Sequence, residues 1–205
     1  LEYEKLPLDL KFRAFKEKKS IEIPFVMPNF TINDLDMRAY NMYYFKKMPK
    51  GESIVSYFDY FFPLDNVKNW NKLYGKRGFL QYQFVGPKEA ISEVFEKIDR
   101  YKIYPYLVVL KRLKAATNRV FSFVQEGFTL ALDFAVSEKV LKMLNEFDKI
   151  VADYNGLIYM AKDARVSKEI FHHIYKDQIK NLLSLKVKYD EDFRLRSLMF
   201  DRLFI

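Results

Sequence analysis

The 205 residues carry 50% hydrophobic and 30% charged side chains with only 6 Gly and 7 Pro, which supports one hydrophobic core and excludes a disordered, collagenous or low-complexity chain. Lys and Arg outnumber Asp and Glu by 35 to 27, and the net charge of +8 favours anionic partners such as a phosphate, a nucleic acid or a lipid surface. The absence of cysteine excludes a disulfide framework, a thiolate nucleophile and a Cys-ligated metal.

Along the chain, residues 1–56 read as an extended lead-in and capping segment, broken by Pro7, Pro24, Pro28 and Pro49 and holding a short helix over Asp34 to Phe45 with Asn33 as its cap. Gly78 to Val85 is aromatic and aliphatic and reads as a strand that stops at Gly86-Pro87. Lys88 to Tyr101 follows as a helix, with Ala90, Ile91, Val94, Phe95 and Ile98 at helical spacing. A strand over Tyr104 to Leu110 closes the first unit. The second unit repeats the order: strand Phe128 to Val136, helix Glu138 to Tyr154, strand Leu157 to Ala161. Ser167 caps a helix running to about Lys186, and the tail from Lys188 to Ile205 ends in an amphipathic stretch.

Strand, helix, strand, taken twice, is the split βαβ order of a ferredoxin-like α+β fold, an antiparallel sheet with helices on one face. The other face is therefore where a site is expected. Alternation places Gln81 and Gln83 on one side of their strand and Leu80, Tyr82 and Phe84 on the other. It likewise groups Thr129, Ala131 and Asp133 against Leu130, Leu132 and Phe134. Lys111 lies at the end of the second strand, and Tyr159 and Lys162 at the fourth. Taken singly, the two glutamines read equally well as solvated amides, and a lysine at a strand end is most often a solvated charge. Their convergence from separate strands suits a hydroxyl-rich, anionic ligand. With 15 Tyr, 20 Phe and 1 Trp, the chain also has more rings than its core needs, so some should face a ligand or a neighbour.

Other chemistry is sparse. His172 and His173 are adjacent on a helix and point about 100° apart, so they do not form an i,i+4 metal pair. No GxxxxGK[ST], GxGxxG or GxSxG motif occurs. No apolar run approaches the roughly 20 residues that span a bilayer. The start at Leu1, without a signal segment, reads as a piece of a longer protein.

The most specific stretch is Phe61-Phe62-Pro63-Leu64-Asp65, Asn69-Trp70-Asn71, Tyr74-Gly75 and Gly78-Phe79-Leu80-Gln81-Tyr82-Gln83-Phe84, followed later by Tyr159-Met160-Ala161-Lys162-Asp163-Ala164-Arg165 and Phe171-His172-His173-Ile174-Tyr175. From about Phe25 onward it resembles the C-terminal half of the FAD-linked oxidases of the vanillyl-alcohol oxidase type, above all their decaprenylphosphoryl-ribose 2-oxidase branch. The resemblance implies a single C-terminal substrate domain over 1–205, with the FAD-binding domain outside this chain. It implies FAD as cofactor, a sugar or polyprenyl-phosphate-sugar substrate, oxidation of a sugar hydroxyl in cell wall biosynthesis, and a short-chain dehydrogenase as epimerase partner. It carries a catalytic role to Lys162, substrate contacts to Gln81, Gln83, Lys111, Thr129 and Tyr60, and cofactor contacts to Tyr159, Lys162 and Gln83. A cysteine that some members carry is Ala131 here, so inhibitors that trap that thiol should not do so.

Within that reading, aldonolactone or alditol oxidation is the alternative. From another class, an RNA-binding module would present a similar sheet and charge, yet GFLQYQFV and FTLALDFA do not match its strand motifs, so no nucleic-acid partner is expected. The basic charge and amphipathic tail suit a cytoplasmic location, peripheral at the inner face of the membrane.

Overall fold

The computed structural model describes residues 20–28, 34–48, 50–53, 61–62, 67–115 and 120–205. Asn33, Tyr60 and Pro63-Leu64-Asp65 lie outside them. In chain order the elements are β1 (Ile21–Glu22), α1 (Asp34–Lys47), β2 (Val67–Lys68), a 3-10 turn (Trp70–Tyr74), β3 (Phe79–Gly86), α2 (Lys88–Tyr101), β4 (Leu107–Leu113) and β5 (Gly127–Ala135). They continue with α3 (Glu138–Asp153), β6 (Leu157–Ile158), a second 3-10 turn (Met160–Lys162), α4 (Lys168–Ile174), α5 (Lys176–Tyr189) and α6 (Leu198–Phe204).

β3 to β6 form an antiparallel sheet in the order β4-β5-β3-β6. This is the split βαβ arrangement expected from the element order, and the chain is α+β. On one face Tyr82 and Phe84 of β3, Leu130, Leu132 and Phe134 of β5 and Ile158 of β6 meet the buried stripes of the helices. α2 contributes Ala90, Ile91, Val94 and Ile98; α3 contributes Val140, Leu144, Phe147, Ile150 and Val151. Phe95, expected on that stripe, is instead exposed, because it falls on the edge of the helix beyond the sheet contact. Ser137 caps α3 by accepting from the Val140 amide at 3.2 Å.

Three boundaries differ from the sequence expectation. β4 starts at Leu107, not Tyr104, because Pro105 has no N–H to give to the ladder; pairing with β5 begins where the Tyr106 amide meets the Asp133 carbonyl at 2.8 Å. It also runs on to Leu113, so Lys111 lies inside the strand. β6 ends at Ile158, and the chain turns through Met160–Lys162 instead of staying extended to Ala161. The last long helix bends at Tyr175, which separates α4 from α5; its buried ring sends the hydroxyl to the Ile158 carbonyl at 2.6 Å.

The described part of the lead-in is tied to the motif that precedes β3. β1 pairs in parallel with β2, and the Met27 amide donates to the Lys72 carbonyl at 2.9 Å. Among the described residues no helix is long and apolar enough to cross a membrane.

Phe84 has no solvent exposure and sits in β3 between β5 and β6. Phe84→Ala should lower the unfolding free energy by about 3–5 kcal/mol in urea denaturation, and a loss below about 1 kcal/mol would show that the core can close around the cavity.

Candidate functional site

Pairing register builds the second face of the sheet. Gln81 stands opposite Asp133 and Gln83 opposite Ala131. Lys111 stands opposite Thr129 from the other side. Residues opposite one another in an antiparallel pair project to the same side, so β3, β4 and β5 together place two amides, a hydroxyl, a carboxylate and a cation on one surface. The Gln81 amide donates to Asp133 Oδ1 at 2.5 Å, and the Gln83 amide to Thr129 Oγ1 at 3.0 Å.

The fourth edge comes from the turn after β6. The Tyr159 amide donates to the Gln83 carbonyl at 2.8 Å, which extends the strand by one bond before the chain turns. The Tyr159 ring packs on Phe123 with centroids 4.7 Å apart, and Lys162 Nζ lies 6.0 Å from the Tyr159 ring centre. The structure thus brings together Gln81, Gln83, Lys111, Thr129, Tyr159 and Lys162. Tyr60 lies outside the described residues.

This face is less open than a bare sheet surface. Thr129 and Asp133 are buried at 3% and 1% exposure, and Gln81 and Gln83 are half-buried over them. Asp133, grouped on this face by alternation but given no role, is its electrostatic centre; the signal was an acid inside the apolar run FTLALDFA. Burial pushes the Asp133 carboxyl above the usual carboxylate range, while the Gln81 hydrogen bond and the Lys162 charge pull it back. Lys162 is pushed below the ordinary lysine value by loss of solvent; Asp133 works against that shift and Lys111 adds to it. Neither lysine has an ion pair among the described residues.

At one end of the face the motif before β3 forms an aromatic wall. The Tyr74 ring stacks on Phe79 at 4.5 Å and meets Tyr106 edge-on at 5.1 Å, and Trp70 lies 4.9 Å from Phe79. The Tyr74 hydroxyl is pushed well above its ordinary value by burial and by the Asp133 charge, so it stays protonated. A separate groove along α2 is lined by Lys88, Glu89, Glu93, Glu96 and Arg100. Its mixed charges, such as Arg100 and Glu96 at 3.9 Å, read as a solvated surface. The two histidines do not form a centre: His172 Nε2 lies 2.9 Å from the Leu203 carbonyl, and no metal-binding cluster occurs among the described residues.

No family model matches the chain. The chain is similar to decaprenylphosphoryl-beta-D-ribose oxidase. The relative, from Mycolicibacterium smegmatis, is 31% identical over 198 residues, which is 95% of this chain. The chain spans 42% of the oxidase's own length, consistent with one domain of it. The match to the oxidase takes in the whole polar face.

The native Asp133 carboxyl holds its proton more tightly than an unfolded one, so its ionisation lowers stability as pH rises through its raised pKa. Asp133→Asn should therefore melt at a higher temperature than the parent at pH 7, with the difference shrinking as pH falls through the raised native pKa and vanishing below the unfolded value of about 3.9. An equal or lower Tm at pH 7 would contradict the assignment of a buried, destabilising charge.

Proposed function

We propose that this chain is the substrate-binding domain of an FAD-dependent oxidoreductase that oxidises a sugar hydroxyl, on a polyprenylphosphoryl pentose as in decaprenylphosphoryl-ribose oxidation. The observation that carries the proposal is Lys162, an ammonium with no ion pair among the described residues, coupled to the buried Asp133 and to Lys111 on a face that also presents two glutamine amides. The similarity to the oxidase over 95% of the chain supports the same reading. Its 42% share of that protein supports a division of labour, with an FAD-binding domain elsewhere in the whole protein.

The donor set suits a planar cofactor with polar edges. Gln81 and Gln83 use their NH2 groups on Asp133 and Thr129, which leaves their side-chain carbonyl oxygens without partners among the described residues. Tyr159 and Lys162 add a ring and a cation at the same edge. Gln83, Tyr159 and Lys162 would hold the cofactor on this side. When bound, FAD supplies the hydride acceptor, which no side chain of this domain can be.

The chain's own residues position and polarise. Lys162 donates a hydrogen bond to the substrate hydroxyl oxygen and favours the negative charge that develops there. Asp133, fixed by Gln81, keeps the ammonium over the sheet by attraction. Gln81, Gln83 and Thr129 fix the sugar through hydrogen bonds, and Lys111 receives the substrate phosphate, the feature that favours a phosphoryl sugar over a free aldonolactone. Ala131 leaves no thiol on this face. A short-chain dehydrogenase that reduces the keto product completes the reading. Leu195 and Leu198, at 79% and 90% exposure beside Arg194 and Arg196, suit a site at a membrane surface.

In the complete protein, Lys162→Ala should slow anaerobic flavin reduction by substrate about 10²–10³-fold, the scale of losing one preorganised stabilising group. Reduction at a near-normal rate would contradict this role for Lys162.

A further inference from the structure

The segment that carries Lys162 has little regular structure of its own. It leaves the sheet at Ile158 and re-enters a helix at Lys168, with only the three-residue 3-10 turn between. The local bonds of that turn are the Lys162 amide to the Tyr159 carbonyl at 3.1 Å and the Asp163 amide to the Met160 carbonyl at 3.2 Å. Short turns of this kind do not hold a side chain in place unless neighbours fix them.

Two arginine forks do so here. From α3, Asp148 receives Arg165 through both of its oxygens, at 2.6 and 2.9 Å, and the same guanidinium reaches the Leu144 carbonyl at 3.0 Å. From the C-terminal helix α6, Arg202 donates to Asp163 Oδ2 at 2.6 Å and to the Val166 carbonyl at 2.5 Å. Asp163 Oδ1 accepts from the Arg165 and Val166 amides at 3.1 and 2.9 Å, so this one carboxylate, 3% exposed, gathers the whole loop. Helix α6 is itself well anchored: Leu203 is buried, Phe204 meets Phe171 edge-on at 5.5 Å, and Lys168 donates to the Phe204 carbonyl at 3.3 Å.

We propose that Arg202 is a positioning residue for Lys162: by clasping Asp163 and Val166 from the C-terminal helix, it sets the turn that aims the lysine at the polar face. The inference rests on the role given to Lys162 above. Arg202 is distant from the substrate face in its contacts and acts through the turn. Its planar fork matters as well as its charge, because an ammonium cannot meet a carboxylate and a carbonyl in the same fixed geometry.

A double-mutant cycle in the complete protein tests it, using Arg202→Gln, Lys162→Ala and the pair. Arg202→Gln should slow anaerobic flavin reduction about 10–100-fold in the parent, the scale of misplacing a catalytic group by about 1 Å. It should have no further effect once Lys162 is alanine. Equal slowing in both backgrounds means a general structural role and overturns the proposal, as does no slowing in the parent. Should Arg202→Gln not fold, Arg202→Lys replaces it, with the same expected non-additivity.

Lysine side-chain NMR of this chain supplies a readout independent of turnover. Arg202→Lys should move the Lys162 titration toward the ordinary lysine value of about 10.4. An unmoved Lys162 overturns the proposal. If Lys162→Ala alone leaves flavin reduction intact, the functional role of Lys162 fails, and the NMR comparison still decides whether Arg202 positions it.

Discussion

A strand cannot bury one side without committing the other, and that constraint organises this molecule. β5 places Leu130, Leu132 and Phe134 in the core, so Thr129, Ala131 and Asp133 must emerge on the opposite face. A carboxylate in the centre of a sheet is tolerated only with partners. Gln81, directly opposite in the ladder, is the nearest one, and the rest of the polar face is arranged around that pair. The burial of Asp133 is an energetic liability to the fold, of the kind retained where a site needs a fixed charge.

The same logic explains why the support for the site lies so far from it in sequence. Tyr82 puts its ring in the core and its hydroxyl on Asp148, which in turn holds Arg165. The reverse side of β3 is therefore wired, through α3, to the turn that follows β6. Helix α6 reaches the same turn through Arg202. Core and polar face are thus coupled at one loop, and Lys162 is the side chain that this loop presents.

Much of this was legible in the sequence. Alternation in GFLQYQFV and FTLALDFA separates the two faces, and the spacing of Val94 and Ile98, or of Leu144, Phe147 and Val151, identifies the helix stripes. Failures cluster where tertiary contacts override local pattern. Tyr104 has strand propensity, but Pro105 denies it a ladder bond; Tyr175 suits a continuous helix, but its hydroxyl is drawn to Ile158. Lys111 was expected at a strand end and lies within β4. Asp133 was on the right face but without a role, since alternation reports direction and not depth. The contact of Arg202 with Asp163, across 39 positions, has no local signature at all.

The proposal that unites these features is that the polar face of the sheet completes a flavin site whose other part belongs to the whole protein. The most direct measurement is a crystal structure of that complete protein with its cofactor. The account predicts a flavin ring system lying over Gln83 and Tyr159, with its polar edge within hydrogen-bond distance of Lys162. A flavin bound against the helix side, or a complete protein that holds none, would contradict it.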